Sequence, residues 1–484
     1  MKTLPTLLLI AAPLTAIAED SLPDPFAVLN AMKKAATYCT SKLAVHGGYA
    51  SAWPRDLAHG ITEHSQSKTV ISIQPPGTTT IGLAMVKSWQ ASGDSQFLEA
   101  AKAAGKALIA CQLASGGWTD DFDFAEAKAS RHWLHQAQMS GDRDPGKRQN
   151  TSTLDDNKTQ SALLFLLELA YLPECKNDTV LQEAVKFGLD SLIAAQYPNG
   201  AWPQQFSGPA DPSTPVQAAH YPSNWSRQWP KEKYTSYYTL NDGNHQRAVE
   251  LLLRAHELTR DERYLASAKK GGDFLILAQM PEPQPVWAQQ YNTEMEPVWA
   301  RKFEPPCVTG GESLGAMETL HLLQVVTGDE KYLKPLTAAL AWYERSKLPG
   351  ELYARFYELR TNRPLYFVKD SYELTYADDN LPTHYGFKLD HIGRDLAKLK
   401  EQLQQPREKL LQKRNAPSNE KSWASQAKSV AAKAHSALKS QTPEGIWIEG
   451  HEIDASLITK QLMALSRYLE GARRGGEAFA QMRQ

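Results

Sequence analysis

The sequence predicts a mainly α protein, an α/α toroid of repeated helix pairs with few short strands. Two observations carry this prediction. One is an internal repeat that recurs after 84 and then 83 residues. The other is that each copy follows a second, more apolar helical segment and is itself followed by an aromatic turn.

The chain opens on MKTLPTLLLIAAPLTAIA, in which Lys2 precedes an apolar run and Ala16-Ile17-Ala18 precedes Glu19-Asp20. This reads as a secretory signal over residues 1–18, too short to span a bilayer, with a mature chain from Glu19. The expected product is secreted or periplasmic, with residues 19–484 forming a single α/α toroid domain whose helices after about residue 391 close or flank the ring.

Three segments then superimpose without gaps: GDSQFLEAAKAAGKALIACQ, NDTVLQEAVKFGLDSLIAAQ and RDERYLASAKKGGDFLILAQ. They align Asp94, Asp178 and Asp261, and again Gln112, Gln196 and Gln279. A degraded fourth copy begins at Asp329 in GDEKYL. Apolar residues recur at three and four, the spacing of an amphipathic helix. The preceding segments, such as TQSALLFLLELAYL, are apolar on most faces and are expected inside. Such pairs build either an open solenoid or a closed toroid. The turns SGGWTDDFDF, NGAWPQQF and PVWAQQY, echoed by TPEGIWIEG near the C-terminus, favour closure. GELYARFYEL and PLYFVKD alternate enough for a short hairpin or extended loops.

Composition narrows the function. Lys plus Arg number 53 against 54 Asp plus Glu, so no nucleic-acid footprint shows. After the signal no apolar run reaches membrane-spanning length, so neither nucleic acid nor membrane is an expected partner, and the chain is expected to act as a monomer. The cysteines Cys39, Cys111, Cys175 and Cys307 fit no metal spacing; export permits two disulfides, and buried thiols are the other reading. Twelve Trp and nineteen Tyr, many beside Gly and Pro, suit stacking on sugars.

The starts of the inner helices carry the candidate chemistry. In LDDNKT, LNDGN and TGGES the acidic residues are Asp155 with Asp156, Asp242, and Glu312. Each alone is well explained as a helix cap. Meeting at one rim, with Asn157 and Asn241 nearby, they make an oxygen-only set suited to Ca²⁺. Two near copies, WARKFE and YARFYE, place Arg301 and Arg355 beside an aromatic two positions on, followed by Glu. Either each Arg–Glu pair braces a loop, or Arg301, Arg355 and Arg363 bind sugar carboxylates. Calcium and guanidinium together suit β-elimination on a polyuronide, where both stabilise developing enolate charge. His245 and His384 are lone and read as structural.

Taken in order, STLDDNKTQ, QYPNGAWPQQF, YTLNDGNHQRAVELL, WAQQYNTEMEPVWARKFEPP, ESLGAMETL and LYARFYELRTNRPLY resemble family-10 pectate lyases (pectic acid lyases) over roughly Val45 to Asp370. The resemblance implies an α/α toroid, Ca²⁺ as cofactor and polygalacturonate as substrate, cleaved by β-elimination with an arginine base. It places the metal and substrate-carboxylate site at Asp155 and at Asn241-Asp242, the base at Arg301 in preference to Arg355, and the binding of neighbouring uronates at Arg355 and Arg363. Asp156 either shares the metal or caps its helix, and Trp202 of the aromatic turn is a further candidate for substrate binding. Departures are DDNK, NGAWPQQF and an insertion between Phe206 and Tyr234 carrying Trp225, Arg227 and Trp229, either a cleft-lining loop or a surface excursion. A non-catalytic carbohydrate-binding toroid and an inverting glycoside hydrolase are the competing readings.

Overall fold

The computed structural model describes residues 22–415 and 419–483, so the signal read at residues 1–18 lies outside the described residues. Its α-helices are α1 (Pro25–Tyr38), α2 (Thr78–Ser92), α3 (Ser95–Ala110), the short α4 (Glu126–Ala129) and α5 (His135–Met139), α6 (Lys158–Ala170), α7 (Thr179–Ala194) and α8 (Asn244–Thr259). They continue as α9 (Glu262–Ala278), α10 (Gly311–Thr327), α11 (Lys334–Arg345), α12 (Ile392–Leu403), α13 (Arg407–Arg414), α14 (Glu420–Ser440), α15 (Ala455–Arg474) and α16 (Gly476–Arg483).

The pairs sort into two layers as their hydrophobicity demands. Eleven of the thirteen residues of α6 are buried, against six of the sixteen of its partner α7. The inner helices α2, α6, α8 and α10 touch in chain order, α12 follows α10, and α15 returns to pack on α2. The outer helices α3, α7, α9 and α11 each lie against the inner helix before them. The two ends of the described chain meet: α15 packs on α1, Ala52–Pro54 pairs antiparallel with Glu452–Asp454, and the Tyr468 hydroxyl donates to the Pro23 carbonyl. The architecture is an α/α toroid.

The repeated polar residues hold this architecture together. Asp94, Asp178, Asp261 and Asp329 are N-caps, accepting from the backbone N–H of Gln96, Leu181, Arg263 and Lys331. Each cap contributes about 1 kcal/mol. Gln112, Gln196 and Gln279 end the outer helices, and each side-chain amide donates to two carbonyls. One lies in its own turn (Gly116, Gly200, Pro285) and one in the next outer layer (Ala184, Ser267, Pro335). Gln441 repeats the device with Gly445 and Ala31, which carries the pattern across the junction between the chain ends. Gly116, Gly200 and Gly445 take φ of +99°, +97° and +97°, and a Cβ on Gly200 would lie 2.0 Å from the Lys270 carbonyl oxygen. Only glycine serves there.

The same turns correct the reading of Trp202. Its side chain is 0 % exposed, and its indole N–H donates 2.9 Å to the Leu192 carbonyl. Trp118, Trp287 and Trp447 do the same to Leu108, Leu275 and Ala437. These rings fill the gap between layers and present no face to a sugar. Trp202→Phe is therefore expected to lower stability by about 1–3 kcal/mol, through the orphaned carbonyl and lost contact, with sugar affinity unchanged. A normal melting temperature with weakened sugar binding would return Trp202 to the site.

Strands are few and short, but they repeat. Val70–Ser72, Ser152–Thr153, Tyr238–Thr239 and Cys307–Thr309 each lead into an inner helix. They pair antiparallel with Asp121–Asp123, Gln205–Phe206, Gln290–Tyr291 and Phe356–Glu358, which follow the corresponding outer helices. The expected hairpin is present, with Phe356 opposite Leu365 and Tyr357 opposite Pro364. The four cysteines are buried free thiols. Among the described residues no helix is long and apolar enough to cross a membrane.

Candidate active site

The strand before each inner helix delivers a polar turn to one end of the ring. After Ser152–Thr153 comes the 3₁₀ turn Asp155–Asn157, and after Tyr238–Thr239 the 3₁₀ turn Asn241–Gly243. The two turns share one backbone shape and touch each other. Asp156 and Asp242, with φ of 49° and 51°, are both left-handed. That conformation costs a non-glycine residue energy, least for Asn and Asp. It also keeps the carboxylates off the helix ends: neither α6 nor α8 has a side-chain cap bond. Asp155, Asp156 and Asp242 are not caps.

One oxygen from each of these three carboxylates lies within 4.8 Å of the others. Arg301, from the loop after Gln290–Tyr291, reaches into this nest. Its Nη2 donates 2.8 Å to Asp155 Oδ2, its Nη1 lies 3.9 Å from Asp242 and 3.4 Å from Glu304 Oε1, and its Nε donates 3.4 Å to the Tyr234 hydroxyl. Glu304, 1 % exposed, also accepts from the Arg301 backbone N–H and from Asn241 Nδ2. Asn241 in turn donates to Asp242 and accepts from Gln289, whose amide also reaches Glu312. On the far side Arg355 lies over Tyr385, 4.1 Å from the ring centroid, donates to the Gly386 carbonyl, and stands 3.7 Å from Glu312.

The electrostatics are those of a site with more acid than base. Lys158 is bound to Asp120 at 2.5 Å and stands 3.6 Å from Asp156. Asp120, Asp155, Asp156, Asp242, Glu304 and Glu312 thus face three cations, Lys158, Arg301 and Arg355. Burial, then Asp156, Asp155 and Glu312, push the Asp242 carboxyl up to about 7. Burial likewise raises Asp155 and Glu304, against the pull of Arg301. For Arg301 burial works the other way, but Glu304 and Asp155 outweigh it and hold the guanidinium more firmly protonated than usual. The ion pair thus helps Arg301 more than it helps Asp155, which loses more to burial than its cationic neighbours return. Two buried acceptors, Asp155 Oδ1 and Glu312 Oε2, have no hydrogen-bond partner among the described residues. An all-oxygen nest with excess negative charge and an orphaned carboxylate oxygen fits a hard divalent cation such as Ca²⁺.

Asp156, Asp242 and Arg301 open onto a cleft of about 650 Å³, also lined by Thr62, Gln74, Phe303, His384 and Tyr385. The insertion is tied to its edge: Trp229 Nε1 donates to the Ala300 carbonyl and Trp299 Nε1 to the Ser226 carbonyl, gripping the segment that carries Arg301.

The structure brings together Asp155, Asp156, Asp242, Asn241, Arg301 and Arg355. Arg363 is not joined to them; it packs on Tyr376 instead. The two arginine strings also diverge. Glu304 does brace Arg301, whereas Glu358 takes Arg227, and Arg355 stacks on Tyr385 while Tyr357, two positions on, is buried. His245 is buried with Nε2 on the Gly271 carbonyl, and burial takes its pKa down to about 4. His384 sits at the cleft edge against Tyr372. Sequence reasoning missed Tyr385, Gln289 and Tyr234, for which only spatial proximity speaks.

Residues 122–351 match a family model described as pectic acid lyase. This span holds the carboxylates, Asn241 and Arg301, while Arg355 and Arg363 lie just beyond it. No curated protein sequence matches the chain. Among solved structures, a family 10 polysaccharide lyase from Cellvibrio cellulosa is 19% identical, with 65% of this chain and 94% of that chain covered and a TM-score of 0.46. A mutant of the family 10 lyase from that organism, in complex with trigalacturonic acid, is 18% identical over 68% and 99% of the two chains, with a TM-score of 0.46. A GH76 α-mannanase from Bacteroides thetaiotaomicron is 11% identical over 93% and 97%, with a TM-score of 0.44.

Proposed function

We propose, starting from the pectic acid lyase family that residues 122–351 represent, that this is an exported lyase cleaving polygalacturonate by calcium-assisted β-elimination with Arg301 as base. The observation that carries the proposal is the position of Arg301, inside a nest of three carboxylates and open to the cleft. Binding alone needs no such concentration of buried charge.

In this reading Asp155, Asp156 and Asp242 hold the ion. Calcium, when bound, supplies positive charge to the uronate carboxylate and stabilises the enolate-like transition state. Arg355, fixed by Tyr385 and the Gly386 carbonyl, is placed to hold a sugar carboxylate with its remaining donors. With its guanidinium neutral, Arg301 takes the C5 proton, the C5–H electron pair becomes the C4–C5 double bond, and the C4–O bond breaks with the leaving oxygen taking a proton from water. For Arg301 to act so, its contact with Asp155 has to be exchanged, because that contact stabilises the protonated guanidinium. Export rests on the first 18 residues, and the partner is an acidic polysaccharide.

One feature favours a second reading. A carboxyl near pKa 7, as at Asp242, beside other carboxylates is what an inverting glycoside hydrolase uses as general acid. Incubation with polygalacturonate separates the two. A lyase gives rising ultraviolet absorbance from the conjugated product, lost with chelator and restored by Ca²⁺. New reducing ends without absorbance would make it a hydrolase.

A further inference from the structure

Three junctions of the ring can be compared at one register. Asp120, Gln204 and Gln289 each stand two residues after an interlayer tryptophan, and their carbonyls accept from the backbone N–H of Ile73, Leu154 and Leu240. The Trp118 N–H donates to Thr159 Oγ1 at the start of α6, and the Trp287 N–H to Ser313 Oγ at the start of α10. The residues just before these hydroxyls are Lys158 and Glu312. Lys158 Nζ meets Asp120 at 2.5 Å, and the Gln289 amide meets Glu312 at 3.1 Å. Asn244 begins α8 as Lys158 begins α6. It is fully buried, and its side-chain amide has no hydrogen-bond partner among the described residues.

The same place in the rim is therefore a cation at one junction, a neutral amide at the next and a carboxylate at the third. Starting an inner helix demands no ammonium there. The first turn of a helix in fact disfavours positive charge, yet Lys158 is the first residue of α6 and is 3 % exposed. Burying a charge is costly unless it is paired. The pairing here is with Asp120 at 2.5 Å and Asp156 at 3.6 Å.

These two carboxylates come from different parts of the rim. Asp156 is one of the three residues of the nest. Asp120 lies in the turn after α3, and its other oxygen stands 4.0 Å from His64 Nε2. Gln74, whose N–H also donates to the Asp120 carbonyl, carries a buried side-chain oxygen without a partner. Calcium bonds oxygen at about 2.3–2.6 Å, a range that includes the distance from the ammonium to Asp120. A divalent ion would fit the same place with Asp156 drawn in.

We propose that Lys158 is a built-in second cation: its ammonium bridges Asp120 and Asp156, fixes Asp156 toward the nest, and holds the site to one divalent ion. Lys158 is thereby a positioning residue that acts through Asp156. The proposal rests on the calcium reading of the nest.

The test is calcium calorimetry up to about 10 mM, above the roughly 10⁻³ M of weak protein calcium sites. It uses wild type, Lys158→Met, and a double variant that adds Asp120→Asn to Lys158→Met, with thermal melts in chelator and in calcium. Methionine keeps the apolar stem and loses the charge. Expected are one ion in wild type, two in Lys158→Met, and one again in the double variant. In chelator Lys158→Met should melt lower than wild type, because its carboxylates are left facing each other, and calcium should restore it. A lysine that only braced the fold would lower the melt without adding an ion. One ion in folded Lys158→Met overturns the proposal, as do two in the double variant or a Lys158→Met chain that calcium cannot restore. If wild type binds no calcium, the calcium reading fails alone. An ion gained by Lys158→Met still supports the bridging role of the ammonium, and none gained overturns it.

Discussion

Arg301→Lys is expected to lower kcat on polygalacturonate by about 10²–10⁴-fold, the range of a lost general base, with a much smaller change in KM. Lysine keeps the charge but not the geometry. Arg301 sends separate nitrogens to Asp155, Glu304 and Tyr234, a division no ammonium can copy. Alanine is the poorer probe. It strands the buried Glu304 and Asp155 carboxylates, at a cost of about 3–5 kcal/mol when a buried pair is broken, and so mixes misfolding with chemistry. Arg355→Lys supplies the contrast. If Arg355 binds substrate, its loss raises KM and spares most of kcat. Should the two variants exchange these signatures, Arg355 is the base and Arg301 the binding residue.

The fold was legible because a repeat reports it several times over. Asp94, Asp178 and Asp261 stand at nearly equal intervals because each caps an outer helix, and Gln112, Gln196 and Gln279 because each fastens a turn to the next layer. What the repeat did not disclose was which way its aromatics face. Trp202 in NGAWPQQF looks like a sugar platform in one dimension and is an interlayer plug in three. The acidic half of the site was legible because Asp155, Asp156 and Asp242 begin successive inner helices, which a ring gathers at one end. The rest depends on contacts between distant segments. Tyr385 meets Arg355 across thirty residues that include the hairpin, and Glu358 answers to Arg227 in the insertion instead of to its own string. No local pattern encodes such partners.

The second large effect concerns the ion and pH together. Asp242 has a folded pKa raised to about 7, against about 3.9 in an unfolded chain. A group raised in this way lends stability that is fully present below the unfolded value and is lost as pH rises through the folded one. The ion-free protein is therefore expected to grow less stable between about pH 4 and 7 on account of this site, as the nest fills with charge. Calcium binding has the opposite slope, since the ion must displace the proton. From pH 8 to pH 5 its affinity should fall by about a hundredfold on the Asp242 proton alone. At a hundredfold excess over its dissociation constant the ion adds about 2.7 kcal/mol, so thermal melts at pH 8 should rise by several degrees with Ca²⁺ and revert with chelator. At pH 5 the same concentration should do almost nothing. Asp242→Asn carries its own control: it removes the titrating group, so the ion-free melting temperature should become flatter between pH 4 and 7 and the calcium response should weaken at every pH. A calcium shift equal at pH 5 and pH 8 in the unmodified protein would mean that the ion sits elsewhere and that Asp242 keeps its proton for other chemistry.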